Sequence, residues 1–244
     1  MAKLRIDQLL HQKGLAESRE KAQRLIRAGL VYTSDKRLEK PGLMVDESTP
    51  LFVKGTDCPY VSRGGLKLAG ALDCFAVETQ GIVALDLGAS TGGFTDCLLQ
   101  RGANKVYAID VGRGQLHHNL QLDARVTSRE KTHLDSLEAH QFSPAPSAVV
   151  ADLSFISLSR AYPVIKRVIQ PGGWALLLVK PQFEVGKENV PQGGVITDER
   201  LHLEVVERLN NTAEALGFEL IGNCASPIHG GDGNKEFFQF LRVK

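Results

Sequence analysis

The segment Leu85-Asp86-Leu87-Gly88-Ala89-Ser90-Thr91-Gly92-Gly93-Phe94-Thr95 ends an apolar, strand-like run and opens a helix-like one. Glycines here let the backbone come close to a ligand, and a helix N-terminus offers unpaired amides. A dinucleotide site would place glycine where Ser90 stands, so pyrophosphate approach is hindered and a dehydrogenase is disfavoured. Two carboxylates flank the loop: Asp86 just before it, and Asp110 at the end of the next apolar run, Val106-Tyr107-Ala108-Ile109-Asp110. Further along, Asp152 and Lys180 each close an apolar run, which places an acid and an amine at neighbouring strand ends. The bland alternatives are a tight turn without a ligand and a lysine that only reaches the surface.

The two acids around the loop suit S-adenosylmethionine, one beside the cationic methionine end and one accepting the ribose hydroxyls. Gly88, Ser90, Gly92, Gly93 and Phe94 complete the expected cofactor contacts. The methyl acceptor is narrowed by elimination. Exocyclic amine transfer usually shows Asn/Asp-Pro-Pro-Tyr/Phe, whereas here the strand end reads Asp152-Leu153-Ser154-Phe155. Carbon-5 transfer to cytosine needs a thiolate, but Cys97 belongs to the helix after the loop and no cysteine ends a strand. A ribose 2′-hydroxyl has a pKa far above neutral and calls for a base or a nearby cation, a task that suits Lys180.

These residues need a scaffold, and the chain supplies one. Apolar runs at 82–87, 105–110, 147–152 and 173–180 predict buried strands, and segments near 93–101, 113–121, 157–169 and 198–216 predict helices between them. The fold class expected is α/β, a mostly parallel sheet with helices on both faces and a ligand crevice at the C-terminal strand ends. Phe218–Ala225 and Glu236–Val243 predict a closing strand pair. The Asp-x-Gly-x-x-x-Gly-Gly arrangement resembles the Rossmann-like methyltransferases.

Length and composition permit this and exclude other classes. The 244 residues suffice for one large or two modest domains, and 43% hydrophobic with 23% charged residues predicts a folded chain. No apolar run approaches the roughly 20 residues that span a bilayer. The start lacks the apolar core of a signal peptide, so a cytoplasmic protein is expected. Four cysteines without a Cys-x-x-Cys pair predict reduced thiols rather than a zinc knuckle. His117, His118 and His202 are read as solvated or packing residues, and no metal is expected.

The formal charge of +1 hides an asymmetry: residues 1–67 carry +5 and residues 68–244 carry −4. In the basic part, Leu4, Ile6, Leu9 and Leu10 recur at helical spacing. A second helix starts at Ser18, buries Ala22, Leu25 and Ile26, and carries Arg19, Lys21, Arg24 and Arg27 on its other side. Leu30-Val31-Tyr32 then predicts a strand and 34–36 a turn. This pattern resembles the S4-like RNA-binding module; Arg5, Arg19, Lys21, Arg24 and Arg27 in it, with Arg63 just beyond, are the candidate RNA contacts. The boundaries expected are an α+β module at 1–60, a linker at 61–65 containing Gly64-Gly65, and a catalytic domain at 66–244. The polar stretch 186–194 is either a lid or a surface loop.

Lys67, Asp152, Lys180 and Glu236 fall in the order of the Lys-Asp-Lys-Glu tetrad of FtsJ-type RNA 2′-O-methyltransferases. With an S4-like module in front, the chain resembles the TlyA (haemolysin A) family along almost its whole length. The matching segments include Tyr60–Leu68, Ala151–Ser157, Lys180–Glu184 and Gly233–Phe237. The resemblance implies methyl transfer from S-adenosylmethionine to the 2′-oxygen of a cytidine in ribosomal RNA, free or in assembled subunits. In that reading Lys180 activates the hydroxyl. Asp152 orients Lys180 and itself sits near the methyl as a cofactor contact, and Lys67 with Glu236 positions the ribose or tunes Lys180. One departure is Glu130–Asp135, where the family pattern calls for Asn and a following Arg near the adenine; His133 or Asp135 stands there instead. A non-catalytic RNA-binding protein and a cytolysin are the rival classes.

Overall fold

The computed structural model describes residues 3–33, 36–53, 58–186, 190–231 and 233–244. Residues 34 and 35 of the expected turn, residues 54–57 and residues 187–189 of the polar stretch lie outside the described residues. The chain divides into two compact units, Met1–Pro59 and Tyr60–Lys244.

The first unit begins with β1 (Lys3–Arg5), α1 (Ile6–Gln12) and α2 (Arg19–Arg27). Short strands β2 (Val31–Tyr32), β3 (Met44–Asp46) and β4 (Phe52–Val53) follow. Strand β1 pairs antiparallel with β3, and β2 with β4. Ile6, Leu9 and Leu10 of α1 pack against Ala22, Leu25 and Ile26 of α2, with Val31 and Leu38 closing the core. Ser18 caps α2: its Oγ accepts from the Lys21 amide at 3.1 Å, which satisfies one otherwise unpaired donor of the first turn. Gly29 follows the helix at φ +71°, in the left-handed region that glycine enters at no steric cost. Leu4, grouped by spacing with the first helix, lies instead in β1.

The second unit runs α3 (Gly64–Cys74), β5 (Val83–Leu87), α4 (Gly93–Gln100), β6 (Lys105–Ile109), α5 (His118–Gln121) and β7 (Val126–Arg129). It continues with β8 (Ala148–Ala151), α6 (Ala161–Val168), β9 (Trp174–Val179), α7 (Pro181–Glu184) and α8 (Glu199–Ala215), then β10 (Phe218–Ala225) and β11 (Phe237–Val243). The sheet order is β10-β11-β9-β8-β5-β6-β7. Strands β9 to β7 are parallel, while β11 and β10 close the edge antiparallel.

Both faces of the sheet are covered, which is why its strands read as unbroken apolar runs. Leu85, Tyr107, Val149 and Leu177 pack with Tyr162 and Ile165 of α6 and Val205 and Leu209 of α8. The alternate residues Ala84, Val106, Val150 and Leu176 pack with Leu68 and Leu72 of α3 and Leu98 of α4. After β5 the chain winds through β6 and β7, then crosses to β8 and β9 on the other side. The order therefore reverses between β5 and β8, where open α/β sheets leave a crevice outside their strand ends.

Three local expectations are corrected. The helix read over 113–121 is only His118–Gln121, because Asp110 accepts the Gly112 amide at 2.7 Å and turns the chain before a helix can start. Strand β7 was not anticipated; its half-exposed Val-Thr-Ser-Arg lacks the apolar signature of the inner strands. Gly64 and Gly65, read as linker, form the first turn of α3, and a Cβ on Gly65 would lie 2.3 Å from the Tyr60 ring. Glycine here permits close packing.

Candidate active site

The cofactor loop is shaped by backbone geometry. Gly88 sits at φ +80°, and a Cβ there would fall 2.6 Å from the Asp152 carbonyl oxygen. Only glycine lets β5 and β8 end this close, and the Asp152 amide donates back to Leu87 O at 3.0 Å. The amides of Gly88 and Ala89 donate to Ile109 O, which ties the loop to β6. Ser90 at φ +47° donates its amide to Asp110 Oδ2 at 2.7 Å. A hydrogen-bonded loop thus ends beside an anchored carboxylate that keeps acceptor capacity for ribose hydroxyls.

Asp86 lies beneath this loop, not on the cavity wall. It is fully buried; its Oδ2 accepts from Thr95 Oγ at 2.6 Å, and its Oδ1 has no hydrogen-bond partner among the described residues. Burial pushes its carboxyl up to about 7; the Thr95 bond opposes the shift and the charge of Asp152 adds to it. A buried, half-satisfied acid next to a cradle built from glycine fits a cationic ligand. Thr95 was not singled out from sequence, although it stands in the quoted motif as the one hydroxyl of the first turn of α4.

Two cavities meet at the loop. The larger, about 420 Å³, is lined by Gly88, Ser90, Asp110, Val111, His133 and Asp135 among others. Asp135 pairs with Arg160 at 2.6 Å, so an arginine does stand at this wall, but it comes from beside α6. The second cavity, about 280 Å³, is lined by Arg63, Lys67, Gly88, Ser90, Gly93, Asp152, Ser154, Lys180 and His229. Gly88, Ser90, Asp152 and Ser154 belong to both walls.

The four expected polar residues form two ion pairs. Lys67 Nζ donates to Glu236 Oε2 at 2.5 Å, with both side chains nearly buried. Lys180 pairs with Asp152, and its Nζ also donates to Ser154 Oγ at 2.9 Å. Both lysines face the smaller cavity, while Glu236 stands behind Lys67. Burying such charges is tolerable because each has a partner. Ser154 is the addition that the sequence did not reveal, since a lone serine after Asp152-Leu153 carries no spacing signal.

Other expected residues have packing roles. A Cβ on Gly92 would lie 2.2 Å from Leu120 Cδ1, so this glycine admits α5 against α4. The Phe94 ring is buried and stacks on Phe238 with centroids 6.0 Å apart, and the residue also lines the smaller cavity. Trp174 packs edge-on to Phe240, and His202 Nε2 lies 3.1 Å from Ile196 O. Cys97 is buried, with its thiol pushed up to about 11, unsuited to a nucleophile. The segment before α3 is held to this unit by the Val61 amide on Asp96 Oδ2 at 2.7 Å, and Arg63 reaches His229 O at 3.4 Å.

In the first unit, Arg19, Arg24 and Arg27 are exposed on α2 and Lys21 is half-buried. Arg5 and Arg19 converge on Asp7.

A switch-point crevice with a glycine-cradled loop, an anchored acid ending β6 and two lysine–carboxylate pairs defines a Rossmann-type methyltransferase fitted with a polar acceptor pocket. Comparison with known proteins sharpens the class. An FtsJ-like methyltransferase model matches residues 60–243, and an S4 domain model matches residues 4–50. The chain is 46% identical to YqxC of Bacillus subtilis over 98% of this chain and 85% of that one. It is 43% identical to the 16S/23S rRNA (cytidine-2′-O)-methyltransferase TlyA of Mycobacterium tuberculosis, over 98% of this chain and 90% of the relative. A solved hemolysin-named structure from Streptococcus thermophilus superposes with a TM-score of 0.78 at 42% identity, covering all of this chain and 90% of the other. The chain belongs to the FtsJ-like methyltransferase family and, within it, to the S4-bearing group that contains TlyA.

Proposed function

We propose that this protein transfers a methyl group from S-adenosylmethionine to the 2′-oxygen of a cytidine in ribosomal RNA. The observation that carries the reading is the pair of lysines facing one cavity, each held by a carboxylate, on the wall shared with the cofactor loop. The 43% identity to a named rRNA (cytidine-2′-O)-methyltransferase supports the same substrate.

When bound, S-adenosylmethionine supplies an electrophilic methyl on a positively charged sulfur. Asp110 would accept the ribose hydroxyls, His133 and Asp135 would stand on the adenine side of the cavity, and Asp86 would compensate the cationic end from beneath the loop. Lys180, oriented by Asp152 and Ser154, holds the 2′-oxygen, and its positive charge stabilises the negative charge that develops there as the hydroxyl proton passes to water. Lys67, held by Glu236, places the acceptor ribose. In-line displacement needs mainly this orientation and a correctly protonated acceptor. Arg63 and the arginines of the first unit hold the RNA backbone, in free ribosomal RNA or in assembled subunits, and the protein acts in the cytoplasm.

Among the described residues no helix is long and apolar enough to cross a membrane. Lys180→Ala tests the assignment: transfer should fall at least a hundredfold while cofactor affinity changes less than threefold, measured by methyl incorporation and calorimetry. Near-normal turnover in that variant would remove Lys180 from the chemistry.

A further inference from the structure

Asp7 is an unusual group for a small basic domain. It stands in the first turn of α1 with its side chain fully buried. Arg5 donates to it through Nε at 3.0 Å and Nη2 at 2.9 Å. Gln23 of α2 donates through Nε2 at 2.8 Å, and the Gln8 amide at 2.9 Å. Arg19, from the start of α2, brings Nη2 to 3.5 Å. One buried carboxylate therefore gathers donors from β1, α1 and α2.

The charge count is informative. A single arginine would neutralise Asp7, yet two converge on it and leave one positive charge in surplus. Both guanidiniums stay about half exposed, at 44% and 52%, so this surplus faces water. A guanidinium has five N–H donors, and Asp7 takes two from Arg5. A free arginine loses rotamer entropy when it grips a phosphate, and one already held loses less. The Arg5 bond draws the Asp7 carboxyl down to about 2, so the anchor stays ionised at any working pH.

We propose that Asp7 is the positioning residue of a two-arginine clamp in which Arg5 and Arg19 grip one phosphodiester of an RNA backbone. Asp7 acts only through the arginines and never touches RNA. The proposal rests on the RNA-binding reading of the first unit and adds the device that arms it.

Asp7→Asn separates positioning from simple electrostatics, because the two give opposite signs. Removing a negative charge from a basic face should tighten RNA binding if only net charge matters; positioning makes the nearly isosteric variant bind five- to tenfold more weakly. Binding of the full-length protein to 16S and 23S transcripts would be followed across a salt series. The slope of log K against log salt should fall by about one contact. Because Asp7 is buried, the same substitution is also made in an Arg5→Ala/Arg19→Ala background. There its effect on binding should vanish, with circular dichroism and thermal unfolding showing that every variant compared is folded, since removing both arginines leaves the Asp7 carboxylate buried without its cationic partners. Unchanged or tighter binding by Asp7→Asn, or an equal loss in both backgrounds, overturns the clamp alone. If Arg5→Ala/Arg19→Ala itself binds RNA normally, the RNA-binding reading of this face falls with it.

Discussion

Asp86 shows how a single side chain records what its site is for. A carboxyl that keeps its proton to about pH 7 when folded, but loses it near 4 when unfolded, makes the folded state bind more protons between those values. Stability of the cofactor-free protein should therefore be greatest near pH 4 as far as this group is concerned, and fall as pH rises toward 7. The contribution is on the order of 4 kcal/mol for a shift of about three units. Melting temperature against pH should show this decline, and Asp86→Asn should flatten it. A cation bound beside Asp86 would favour its ionised form, so adding S-adenosylmethionine should recover stability most at pH 7 and above.

Lys67 and Glu236 pose a second question at this scale: a buried pair can serve structure, chemistry or both. Lys67→Met leaves Glu236 buried without its partner and should cost about 3–5 kcal/mol in denaturant unfolding. Lys67→Met combined with Glu236→Leu should recover most of that loss while methyl transfer stays absent. Recovery of activity along with stability would assign the pair to the fold alone.

At the scale of elements, the site is a matter of how close strand ends can come. Gly88→Ala places a methyl against the Asp152 carbonyl at a backbone angle that alanine disfavours. The variant should weaken S-adenosylmethionine binding at least tenfold by calorimetry, and Lys180 should lose its orientation with it. Much of this was legible in the sequence. Unbroken apolar runs located β5, β6, β8 and β9 within a residue or two because strands buried on both faces admit little else. Ser18 and Gly29 marked the ends of α2 through capping chemistry. What escaped were features that depend on contacts distant in sequence. Ser154 gains its role from Lys180, Thr95 from Asp86, and the short β7 from its pairing with β6. Gly64-Gly65 reads as linker because local sequence cannot reveal a Tyr60 ring lying on Gly65. The tetrad was named by its order along the chain; its division into two pairs required the fold.

At the scale of the whole molecule, a net charge of +1 conceals the division of labour between its parts. A basic module of about sixty residues is joined to a mildly acidic catalytic unit, so attraction to polyanions is concentrated where no chemistry occurs. RNA affinity should then be strongly salt-dependent, and Arg24→Ala should lower the salt slope by about one contact with kcat unchanged at saturating RNA. The central claim is that the acceptor is a ribose hydroxyl of cytidine. The most direct measurement incubates the protein with isotopically labelled S-adenosylmethionine and unmodified 16S and 23S RNA, as naked transcripts and as assembled subunits. The RNA is then digested to nucleosides and the labelled product identified by mass spectrometry. Label in 2′-O-methylcytidine, absent with the Lys180→Ala protein, is the result this account predicts; label on a base, or cofactor binding without transfer to any ribosomal substrate, would contradict it.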